Sequence, residues 1–94
     1  MKIAIDVGKK KSYVVVQNVN VVENEGYIET TKDGFDSMVP NSEGNTFILE
    51  EGNNLYSVAR ILEQYPNAKI VVAHPAAAQF VRRLERRGFL EPKV

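Results

Sequence analysis

Apolar and polar positions change period several times along the chain, and each change marks an element. Lys2-Ile3-Ala4-Ile5-Asp6 and Lys11-Ser12-Tyr13-Val14-Val15-Val16-Gln17-Asn18 are short runs rich in β-branched residues. Gly8 and the lysines beside it separate them, so the pair predicts a hairpin with Asp6 near its turn. A polar turn at Asn18 to Asn20 leads to a third strand over Val21 to Thr30. Three consecutive strands of this kind imply an antiparallel meander.

The period then lengthens. Thr31 to Val39 opens with N-cap material, sets Phe35, Met38 and Val39 at helical spacing, and stops at Pro40, which predicts a short helix. Thr46-Phe47-Ile48-Leu49-Glu50 is a compact apolar run of strand length that ends in acids, expected as a buried central strand. Asn53 and Asn54 are placed to cap a helix with Leu55, Val58, Ala59, Ile61 and Leu62 on one face, ended by Pro66-Asn67. Lys69-Ile70-Val71-Val72-Ala73 reads as a parallel strand buried on both faces. Pro75 suits the first turn of a last helix with Ala77, Ala78, Val81 and Leu84 as its apolar stripe and Gly88 as its stop, followed by a loose tail. The predicted order is β-β-β-α-β-α-β-α, an α/β domain with a mixed sheet.

Length and composition narrow the classes. At 94 residues the chain is one small domain, and 44% hydrophobic residues place it well above disorder. It has no cysteine, which excludes a disulfide framework, a thiolate metal site and a cysteine nucleophile. No apolar run approaches the ~20 residues of a membrane span, and the amino terminus enters a strand with no signal-peptide pattern. The expectation is a cytoplasmic protein without a membrane partner.

The zero net charge hides a segregation. Residues 1 to 20 carry four lysines against Asp6, residues 21 to 51 carry eight acids against Lys32, and residues 52 to 94 carry seven bases against three acids. Such blocks can form solvated faces, or a basic face beside an acidic pocket, as nucleic-acid-processing metal sites require. Arg82, Arg83, Arg86 and Arg87 lie on one side of the last predicted helix, where they either track a phosphate backbone or complement the helix dipole. Lys9 and Lys10 stand beside Asp6, where they steer DNA or keep the turn soluble. Asp6 itself is either a ligand or a cap of its own turn. His74, before Pro75, is read as a structural residue.

Three stretches, in order, carry a resemblance. Ile5-Asp6-Val7-Gly8-Lys9 resembles an "I-D-V-x-K" pattern, Thr31-Lys32-Asp33-Gly34-Phe35 a "T-x-x-G-F" helix start, and Leu49-Glu50-Glu51-Gly52-Asn53-Asn54-Leu55-Tyr56 with Val71-Val72-Ala73-His74-Pro75 an "E-x-T-G-x-Y" helix start and the strand after it. Together they make the chain similar to the DEDD-type insertion-sequence transposases, whose amino-terminal domain is RuvC-like with an RNase H-like fold. The resemblance implies a first strand at the sheet centre beside the fourth. It further implies Asp6 and Glu50 as the first two acids of the DEDD set, catalytic and ligands of Mg²⁺ or Mn²⁺, with Glu51 as the alternative second acid. DNA would be the substrate, cut and rejoined, and a guide RNA would be a partner of the full protein. The family's last two acids lie in a "K-T-D-x-x-D-A" segment, and no Asp follows Pro75. The chain is therefore expected to be the front part of a larger catalytic domain, inactive alone. The alternatives are a YqgF-type resolvase-like nuclease on the same fold, or a fragment that binds nucleic acid or forms a homo-oligomer without catalysis.

Overall fold

The structure, a computed structural model, describes residues 1–41, 44–50, 52 and 54–73. Strands β1 (Lys2–Asp6), β2 (Lys11–Asn18) and β3 (Val21–Glu29) form the meander, α1 (Lys32–Asp36) follows, and β4 (Thr46–Glu50), α2 (Leu55–Leu62) and β5 (Lys69–Ala73) complete the described elements. The sheet order is β3-β2-β1-β4-β5, antiparallel on the β3 side and parallel on the β5 side. It is a small α/β domain with a five-stranded mixed sheet, and β1 is its central strand. The predicted last helix, with Arg82, Arg83, Arg86 and Arg87, lies outside the described residues, as do His74, Glu51 and the capping residue Asn53.

Alternation along each strand sends residues to two faces with different coverage. Ile3, Ile5, Val14, Val16, Phe47 and Leu49 point to one face, where Phe35 and Val39 around α1 and Val58 and Leu62 of α2 close over them. This is the main core. The second face carries a smaller cluster, Ala4 and Val15 with Tyr13, Val22 and Ile48 beside them. Both described helices sit on the first face.

The stretch Thr31 to Phe35 acquires a physical reading. Thr31 is the N-cap of α1, and its Oγ1 accepts from the Gly34 N–H at 3.0 Å. Phe35 is fully buried, so the helix is pulled down onto the end of β3. Gly34 permits that approach, because a Cβ there would collide with the Glu29 carbonyl.

The structure departs from the expected elements at several points, β3 ending at Glu29 and α2 at Leu62 among them. The helix predicted over Thr31 to Val39 is shorter, with Ser37 as its C-cap. Asn54 occupies the N-cap position of α2 but makes no side-chain cap hydrogen bond, its backbone (φ −101°, ψ 12°) lying outside the extended region that aims a cap side chain back at the helix. Strand β5, expected to be buried on both faces, is instead the last strand of the described sheet, with Val71 40% and Val72 45% exposed. Its apolar composition reports parallel pairing and not burial.

One polar clamp ties the two helical segments together. The Tyr65 hydroxyl donates to Asp36 Oδ1 at 2.6 Å, Lys32 Nζ bonds the same oxygen at 2.7 Å, and the ammonium lies 4.9 Å from the centre of the Tyr65 ring. Hydrogen bonds from Lys32 and Tyr65 hold Asp36 below its ordinary pKa of 3.8. Burial, then the bond to Asp36, pushes Tyr65 upward. A depressed acid stabilises the fold above its unfolded pKa and loses that contribution as pH falls through the folded value. A raised phenol stabilises below about 10 and loses it as pH rises further. Tyr65→Phe should therefore lower the urea midpoint at neutral pH, with the gap to wild type closing in acid below the ordinary Asp range and again above the ordinary Tyr range. A gap that stayed constant across acid pH would rule out a contribution from the carboxylate partner.

Candidate functional site

The candidate site sits where β1 and β4 end. These strands are parallel, with Ile5 opposite Leu49, so continuing the register by one position sets Asp6 beside Glu50. Adjacent strands are about 4.8 Å apart, and both residues fall on the second face of the sheet. Each is half-buried.

The turn that follows Asp6 is held by other residues. Ser12 Oγ accepts from the Gly8 N–H at 3.2 Å and pairs with Thr30 Oγ1 at 2.7 Å, while Thr30 Oγ1 donates to the Gly8 carbonyl at 2.9 Å. The Thr30 N–H in turn donates to the Lys10 carbonyl at 2.9 Å. A buried serine and a threonine from the end of β3 thus satisfy the backbone that a turn-capping aspartate would otherwise serve. The Asp6 carboxylate has no hydrogen-bond or ion-pair partner among the described residues. The capping alternative for Asp6 is accordingly not what this turn uses.

Beside the two acids lies an open cleft of about 210 Å³, lined by Val7, Gly8, Lys9, Glu50, Gly52, Asn54 and Leu55. Glu50 and Lys9 line it, and Asp6 does not. Lys9, Lys10 and Lys11 are exposed at this end of the sheet. The donor set is chemically coherent for a hard cation. Two neighbouring carboxylates repel unless a cation lies between them, and Mg²⁺ is commonly held by one or two carboxylates while it keeps several waters. Among the described residues no group of three or more His, Cys, Asp or Glu gathers in one place, so these contribute a pair and not a full cage.

Some of the arrangement was not read from the sequence. The Ser12–Thr30 lock depends on the β2–β3 register, and its only sequence signal is a hydroxyl residue at each strand end nearest the glycine turn. The register also sets Tyr13 opposite Asp6 and Tyr27 opposite Tyr13, which places two aromatic residues in line with the acids.

No protein-family model matches the chain, and no curated protein matches it significantly. Among the described residues no helix is long and apolar enough to cross a membrane.

Proposed function

We propose that the chain is an RNase H-like, RuvC-like domain of the DEDD transposase type, in which Asp6 and Glu50 hold Mg²⁺ or Mn²⁺ for cleavage and transfer of DNA strands. The observation that carries this reading is the half-buried Asp6 carboxylate, unpartnered among the described residues and beside Glu50 when the register of the parallel β1–β4 pair is continued past Ile5 and Leu49. The strand order supports it, since a central first strand flanked by the second and the fourth is what the family resemblance implies. Bound divalent ions of this class activate water and stabilise a leaving oxygen in phosphodiester chemistry. The chain's own residues have simpler tasks: Asp6 and Glu50 supply hard oxygen ligands from a rigid sheet, and Lys9 offers a cation to a phosphate in the cleft. A guide RNA as partner, and Glu51 as a further ligand, belong to the same proposal. A YqgF-type nuclease would also use Asp6, so the same measurement serves both.

Titration with Mn²⁺ should broaden backbone NMR signals selectively around Asp6 and Glu50. Asp6→Asn should abolish that selectivity while leaving the fold intact. Weak, uniform broadening along the chain would remove the metal reading.

A further inference from the structure

The second face of the sheet carries one row of residues that spans the strands in register. Tyr27 of β3 lies opposite Tyr13 of β2, and Tyr13 opposite Asp6 of β1; Glu50 of β4 follows by continuation and lies opposite Ala73 of β5. Two aromatic residues thus lead directly to two acids, on one face and at one height.

The aromatic pair is held in a defined geometry. Tyr13 and Tyr27 meet edge to face, with ring centroids 4.8 Å apart and planes at 77°. Tyr13 is further fixed by its hydroxyl, which donates to Glu25 Oε1 at 2.8 Å. Tyr27 nonetheless leaves 65% of its surface in water, more than packing alone would require of a large ring. A ring that is oriented by a neighbour and left open is suited to stack on a flat partner.

We infer that Tyr27 is a stacking platform for an unpaired base of a nucleic-acid strand, with Tyr13 as the positioning residue that sets the ring. Rows on adjacent strands place Tyr27 about 10 Å from Asp6, two strand spacings away, so a strand whose backbone is held at the basic turn after Asp6 passes over the tyrosines with a neighbouring nucleotide. The exposed Lys9, Lys10 and Lys11 at the same end of the sheet supply positive charge for its backbone. A base is favoured over a protein side chain because stacking tolerates any sequence and the basic turn complements a phosphodiester chain. The inference rests on reading this end of the sheet as a nucleic-acid site, but it does not require the metal.

The test is binding of a short single-stranded oligothymidylate to the whole chain in the presence of EDTA, followed by tyrosine ring NMR signals and by affinity. The Tyr27 ring should shift upfield, and Tyr27→Ala should weaken binding roughly tenfold, the effect of losing one base stack. Tyr27→Phe should restore affinity, since it keeps the ring, and an abasic strand of the same length should bind wild type and Tyr27→Ala alike. Equal affinity of wild type and Tyr27→Ala for oligothymidylate, or a Phe variant as weak as the Ala variant, would overturn the platform. Because chelator is present, the oligothymidylate result does not depend on a bound metal. Loss of the manganese effect alone would therefore sink the metal site and leave the platform standing.

Discussion

Phe47→Ala should cost about 3–5 kcal/mol of folding free energy, the usual range for removing a buried aromatic ring. Phe47 is fully buried at the second position of β4 and belongs to the cluster that joins the central strands to α2. Its ring also rests against Tyr65, centroids 5.8 Å apart and tilted by 34°, so the substitution loosens the residue that clamps Asp36. A chain of 94 residues is expected to have a total stability of roughly 5–14 kcal/mol, so the loss would take a large fraction of it. Urea unfolding should show a much lower midpoint with little change in slope. A cost below about 1 kcal/mol would mean that the core is not centred on this ring.

Gly8→Ala should destabilise by roughly 2–3 kcal/mol and also disturb the site, a combination that core substitutions do not give. A Cβ at Gly8 would run into the Lys11 carbonyl, a backbone atom that cannot rotate out of the way. The turn must open, and with it go the Ser12 bond to the Gly8 N–H and the Thr30 bond to the Gly8 carbonyl. Asp6 lies two residues before that glycine, so its carboxylate would leave the row it shares with Glu50. Amide shifts should change from Asp6 to Ser12 and at Thr30, and selective broadening by Mn²⁺ should fade, while Phe35 and its surroundings stay as they are. An unfolding midpoint and turn spectrum equal to wild type would contradict the close approach described for this turn.

The sheet was legible in the sequence to a large extent, and the reason is chemical. Each strand is a run of β-branched and apolar residues ending in a polar or glycine-containing segment, so the bounds of β1, β2, β4 and β5 can be read directly. The identities of Asp6 and Glu50 as strand-end acids follow from the same bounds. What could not be read was anything set by register or by position within the sheet. Exposure of β5 depends on its being last in the described order, which Lys69 to Ala73 do not encode locally. The β2–β3 turn carries Val19 at φ 59°, a value that favours glycine or asparagine, so turn chemistry gave only the location and not the residue that bears the strain. The Tyr27–Tyr13–Asp6 row required two registers at once, one of them irregular between Val16 and Gln17. The capping role expected of Asn54 failed on backbone geometry that residue type does not report.

The central position of β1 also has a consequence in time. Of the strands in this sheet the central one is made before the others, and its parallel partner begins at Thr46. The meander can satisfy one side of β1 through local pairing, but the other side must wait until 44 further residues have been made, because Lys2 pairs with Thr46. During that interval Ile3, Ala4 and Ile5 present an unpaired hydrogen-bonding edge with apolar side chains, the kind of edge that recruits foreign strands. The same parallel pairing that sets Asp6 beside Glu50 thus gives the nascent chain its most vulnerable moment.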